Sequence, residues 1–174
     1  MDVAEFDYEL PAERIAQVPV EPRDGARLLV DRGKDLPPEH RVVRDLPELV
    51  GPGDVVVVNT TRVLPARLHL RKATGGAVEV FLLERQADGR WHALVKPGRK
   101  VAPGTRLAAG DDLVVEVGER AGADGVRWVV LHTTAADDLD ALARYGAVPL
   151  PPYITAPLAD PERYQTVFAD RPES

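Results

Sequence analysis

The 174-residue sequence contains no cysteine. Without a thiol it can form no disulfide, thiolate zinc site, iron–sulfur ligation or cysteine nucleophile, a pattern that fits a reducing compartment. Long apolar runs are missing too. The longest uniformly aliphatic run, Val55–Val58, is far too short to span a bilayer. Asp2, Glu5, Asp7 and Glu9 stand where an export signal would carry apolar residues. Together these absences predict a soluble, cytoplasmic protein with no membrane partner. No GxxxxGK(S/T) loop, GxGxxG or HExxH motif is found. His40, His69, His92 and His132 stand singly rather than at metal-ligand spacing, so no metal is expected.

Positive charge is also in short supply, with 22 Lys+Arg against 28 Asp+Glu and a net charge of -6. The distribution matters more than the total. Residues 1–60 hold 7 basic and 13 acidic side chains, residues 61–110 hold 10 and 3, and residues 111–174 hold 5 and 12. A basic middle therefore lies between two acidic flanks, and a polyanion partner stays open for that segment.

The hydrophobic 44% of the chain argues for a globular fold of domain size. Its texture changes twice. Up to residue 60 it reads as an α/β opening. Pro11–Gln17 predicts a short helix, Arg27–Asp31 a strand, Asp45–Val50 a helical turn capped by Asp45, and Gly51–Asp54 a turn. Val55–Val58 predicts a strand buried on both faces. From residue 61, five strand-like runs (Ala66–Arg71, Ala77–Glu84, Trp91–Lys96, Leu113–Val117, Val126–His132) alternate with Gly/Pro turns, among them Gly75-Gly76, Pro103-Gly104 and Asp124-Gly125. That spacing predicts a small antiparallel barrel or sandwich, with Arg67, His69 and Arg71 on an exposed basic face. Beyond residue 133 a helix follows. Thr134 and Asp137 read as its capping pair, Leu139, Leu142, Ala143 and Tyr145 as its apolar face, and Gly146 as its C′ residue. Pro149–Tyr153 must be extended, and Asp160-Pro161 opens a last short helix.

Three clusters could carry chemistry. Asn59-Thr-Thr-Arg62 with Pro65-Ala-Arg67 follows the predicted Val55–Val58 strand, where α/β sheets bind ligands. Asn offers a donor and an acceptor, and the arginines offer forks for phosphate or carboxylate. The same residues also suit a plain turn with solvated charges. Lys96-Pro-Gly-Arg99-Lys100, with Arg71, Lys72 and Arg106, could grip a phosphate backbone or could be a charged surface turn. Pro149–Tyr153 could stack a base on Tyr153 or could be a stiff linker. Tyr164-Gln-Thr166 offers an aromatic, an amide and a hydroxyl, and Arg27 could point at an anionic ligand.

Taken in order, Phe6-Asp-Tyr-Glu-Leu-Pro11, Ile15-Ala-Gln17, Arg27-Leu-Leu29, Asn59-Thr-Thr-Arg-Val63, Pro65-Ala-Arg67, Glu79-Val80, Lys96-Pro-Gly98, Val148-Pro-Leu-Pro-Pro-Tyr-Ile154 and Arg163-Tyr-Gln-Thr-Val167 resemble the S-adenosylmethionine:tRNA ribosyltransferase-isomerases of queuosine synthesis. The resemblance implies an α/β domain interrupted by a small antiparallel β-barrel. Residues 1–60 and 147–174 would form the α/β part, and residues 61–146 the insert with a closing helix near 135–146. It implies transfer and isomerisation of the ribosyl moiety of S-adenosylmethionine onto 7-aminomethyl-7-deazaguanine at the tRNA wobble position, giving epoxyqueuosine. The sulfonium acidifies the adjacent C5′ hydrogens and acts as its own electron sink, so the protein supplies orientation and electrostatics. The resemblance offers Arg27, Asn59, Thr61, Arg62, Arg67, Tyr153, Tyr164, Gln165 and Thr166 as candidates for the substrate pocket. Arg71, Lys72, Lys96, Arg99, Lys100 and Arg106 become candidates for holding the anticodon arm of the tRNA. No general base is identified. Family members run to roughly twice this length, beyond the one-domain scale. A monomer is expected for the full-length form, and this chain alone is expected to be inactive because its α/β part is truncated at the C-terminus. A non-catalytic RNA-binding module and a truncated paralogue are the alternatives.

Overall fold

The computed structural model describes residues 2–122 and 125–170. Asp124 of the predicted Asp124-Gly125 turn and the final residues 171–174 lie outside the described residues. The chain divides into two compact units, residues 1–59 with 151–163 and residues 60–150 with 164–174.

The larger unit is a closed antiparallel barrel. Its strands are β3 (Arg67–Lys72), β4 (Ala77–Arg85), β5 (Trp91–Lys96), β6 (Thr105–Ala109), β7 (Leu113–Arg120) and β8 (Val126–Thr133). They run β4-β5-β8-β7-β6-β3, and β3 returns to pair with β4. Closure removes both sheet edges, which is how a short sheet avoids pairing with other chains. The alternation seen in the sequence sets the two faces. Leu68, Leu70, Val78, Val80, Leu107, Val115, Val117 and Val129 point inward and are buried, whereas His69 and Arg71 stay exposed. All five predicted strands form. β6 was not anticipated, because Arg106 and its Ala/Leu neighbours give little β signal.

Helix α1 (Asp138–Tyr145) packs Ala141 and Leu142 into the barrel core. Two of its expected features differ. Asp137 alone is the N-cap, accepting from the Asp140 N–H at 2.9 Å, while the Thr133 hydroxyl, not Thr134, serves the preceding turn. Leu139 and Ala143 lie on the outer side. Gly146 has a φ of -83°, so it is no left-handed cap. It is glycine because a Cβ would stand 1.8 Å from the Pro65 carbonyl oxygen, where β9 (Gly146–Ala147) pairs with β3.

The smaller unit contains a hairpin of β1 (Arg27–Val30) and β2 (Glu39–Val42) plus short 3-10 turns. Pro11–Gln17 forms only the turn Ala12–Arg14, too short for the expected helix because Pro19 and Pro22 follow closely. Asp45 lies inside the turn Val43–Glu48, and its carboxylate reaches back to accept from the Val42 N–H. Side chains stitch this unit together. The Gln17 amide donates to the Tyr153 carbonyl at 2.9 Å and accepts from Thr155 N–H at 2.7 Å. Arg163 donates to the Val20 carbonyl and pairs with Glu21, both at 2.7 Å.

No described residue of the smaller unit is buried. Val55–Val58 corrects the expected doubly buried strand. It forms no strand, and Val55 and Val57 are 85% and 89% exposed. A two-stranded hairpin offers no surface that could cover four valines, each worth about 1.5–3 kcal/mol on full burial. Among the described residues no helix is long and apolar enough to cross a membrane.

Candidate functional site

The segment after Val55–Val58 enters the barrel unit at Thr60 and carries the Asn59–Arg67 cluster. Three hydrogen bonds anchor it. Gln165 is 7% exposed. Its amide accepts from the Val63 N–H at 2.8 Å and donates to the Val63 carbonyl at 2.9 Å, as a neighbouring strand would. The Asp170 N–H donates to the Thr60 carbonyl at 3.0 Å. Thr61 and Arg62 are thereby held half-buried. At the start of β3, Arg67 pairs with Glu79 at 3.3 Å and lies over the Phe81 ring, 5.3 Å from its centroid.

Beside this segment the barrel unit opens a cavity of about 650 Å³. Val63, Leu64 and Ala66 form one wall, Phe81 and Leu83 of β4 another, and Leu139 and Pro149 close it. Polar groups sit at the β4–α1 side: Glu84, Arg85, Asp137 and Asp138. Asp138 is fixed by two donors, Trp91 Nε1 at 2.9 Å and Arg85 Nε at 3.2 Å. An apolar chamber with a few oriented polar groups is the usual form of a small-molecule site.

The expected site residues are thus spread over both units. Arg27, Asn59 and Tyr153 belong to the smaller one, and Thr61, Arg62, Arg67, Tyr164, Gln165 and Thr166 to the barrel unit. Of these, the structure links Gln165 with Val63 and Arg67 with Phe81, both cavity-wall contacts. The basic residues also group in part. Lys72 Nζ donates to the Lys100 carbonyl, so the end of β3 meets the exposed turn Gly98–Lys100 that carries Arg99. Arg71 donates to the Gly75 carbonyl at 3.2 Å. Lys96 stands opposite Glu79. Arg106 lies 4.0 Å from Glu116, which His132 also contacts. The cavity residues Phe81, Trp91, Asp138 and Leu139 were not anticipated. The one available signal was Trp91 at a strand start, whose buried indole N–H needs an acceptor.

Residues 3–174 match the family described as queuosine biosynthesis protein. The chain belongs to that family. Among curated queuosine biosynthesis relatives, the S-adenosylmethionine:tRNA ribosyltransferase-isomerase of Symbiobacterium thermophilum is 50% identical over 170 residues, covering 97% of this chain and 50% of the relative. The enzyme of the same name from Thermotoga maritima is 48% identical over 171 residues, covering 97% of this chain and 49% of the relative. The chain therefore spans about half the length of the curated relatives it matches. A crystal structure of S-adenosylmethionine tRNA ribosyltransferase from Thermotoga maritima shares 47% identity and covers 73% of this chain and 44% of its own, with a TM-score of 0.36.

Proposed function

We propose that this chain supplies one half of an S-adenosylmethionine:tRNA ribosyltransferase-isomerase. In this reading the ribosyl moiety passes from S-adenosylmethionine to 7-aminomethyl-7-deazaguanine in the anticodon arm of a cytoplasmic tRNA, with release of adenine and methionine. Family membership across residues 3–174 carries the proposal. The basic patch of Lys72, Arg99 and Lys100 supports an RNA partner, since it clusters cations on one exposed turn and strand end. Residues 1–60 and 147–174 are read as part of an α/β domain whose remaining strands and helices come from the other half. The exposed Val55–Val58 run supports this reading, because a β-branched segment of that kind gains its stability only when sheet neighbours cover it. The assembled enzyme is read as a monomer in which this chain's arginines orient the reacting groups. The part read for these arginines is positioning and charge complementarity.

The experiment supplies the chain with the remaining half of the Symbiobacterium thermophilum relative, S-adenosylmethionine, and tRNA carrying the 7-deazaguanine precursor. Adenine release by the two halves together, and none by the 174-residue chain alone, is the expected result. Release by the chain alone removes the dependence on a second half. No release by the assembled halves, while the intact relative is active, removes the activity.

A further inference from the structure

We infer, resting on the activity proposed above, that the barrel cavity is the seat of S-adenosylmethionine, with its sulfonium held against the Glu84, Asp137 and Asp138 carboxylates. The cavity volume of about 650 Å³ lies within the span typical of small-molecule sites, roughly 300–1,000 Å³. Phe81, Leu83, Leu139 and Pro149 provide apolar walls suited to a purine ring and a thioalkyl chain. Three carboxylates and one guanidinium belong to the cavity lining, a net of two negative charges. The guanidinium, Arg85, is paired with Asp138, Asp137 accepts from the Asp140 N–H at 2.9 Å, and Glu84 lies 3.6 Å from His92 Nδ1. Such a lining favours a cationic ligand and disfavours an anionic one. Asp138 is suited to the task because its side chain is only 16% exposed and its direction is set by Trp91 and Arg85 before any ligand arrives. A pre-oriented carboxylate in a partly dry site binds a cation without paying to order itself. Arg67 and Gln165 enter this picture indirectly. One lies over the Phe81 wall and the other holds Val63 in place, so both are positioning residues.

The cavity is built wholly from residues 63–149, so the test needs only this chain. S-adenosylmethionine and its neutral thioether analogue S-adenosylhomocysteine are titrated calorimetrically into the wild type and three variants. Asp138→Asn keeps the shape and removes the charge. Glu84→Gln does the same at an exposed position. Leu139→Trp fills the cavity from an exposed helix position. The wild type is expected to prefer the sulfonium, and each charge variant to lose roughly tenfold in affinity for it while changing S-adenosylhomocysteine binding by less than about twofold. Leu139→Trp is expected to abolish binding of both. No binding by the wild-type chain overturns the inference. Binding that ignores Glu84→Gln and Leu139→Trp also overturns it, and leaves the ribosyl-transfer activity standing. Failure of the two-half adenine assay, with cavity binding intact, counts against the activity alone.

Discussion

Replacing Gln165 by Met isolates the contact that holds the Asn59–Arg67 segment. Met keeps the length and unbranched shape of Gln but carries no amide. Both hydrogen bonds to Val63, at 2.8 and 2.9 Å, are lost. A buried peptide group left without a partner costs about 1–3 kcal/mol. Val63 is half-buried, so water recovers part of that. The expected loss is about 2–3 kcal/mol, a large share of the roughly 5–15 kcal/mol available to a domain. It corresponds to a fall in Tm of roughly 10–20 °C for a unit of this size. Urea denaturation followed by tryptophan fluorescence measures it cleanly, because both tryptophans, Trp91 and Trp128, lie in the barrel unit. The midpoint should fall with no change in the urea slope. Gln165→Glu serves as a control. It keeps an acceptor for the Val63 N–H but sets a carboxylate against the Val63 carbonyl, so its defect should ease as the pH falls and the new acid protonates. A loss below about 0.5 kcal/mol in Gln165→Met would refute the argument that this amide acts as a surrogate strand.

Gly146→Ala should prevent stable folding of the barrel unit or cost more than about 3 kcal/mol, because the obstacle at 1.8 Å is backbone that cannot swing away; urea unfolding of this variant gives the answer. The Tyr145 hydroxyl donates to Asp112, which raises the phenol above its usual value of 10.0. The stability it contributes is present below pH 10 and is lost as the pH rises through the folded-state value. Tyr145→Phe should therefore flatten the alkaline decline of the urea midpoint between pH 9 and 11, where wild type falls more steeply. Replacing Lys72, Arg99 and Lys100 by Ala should weaken tRNA binding and reduce the salt slope of log affinity by about two to three. An unchanged slope would show that these cations do not meet phosphate.

The barrel was legible because its signals are local. Period-two alternation in Leu68-His-Leu70 and Val78-Glu-Val80, with glycine turns between strands, fixes both register and facing. β6 escaped because alanine and arginine carry little strand preference and its order comes from β7 and β3. Val55–Val58 shows the converse. Its composition favours a buried strand, but burial is a property of neighbours, and the smaller unit provides none. The cavity wall from Val63 to Ala66 lies inside a segment that was visible as a motif. The rest of the cavity was not, since Phe81, Asp138, Leu139 and Pro149 converge from segments far apart in sequence and only the fold brings them together.

The most direct test of the central claim is nucleoside analysis of the tRNA itself. The chain, combined with the remaining half of the Symbiobacterium thermophilum relative, is incubated with S-adenosylmethionine and precursor-bearing tRNA, which is then digested and examined by mass spectrometry. Appearance of epoxyqueuosine only when both halves are present is the predicted result. Unmodified precursor with both halves present, under conditions where the intact relative converts it, would contradict the claim.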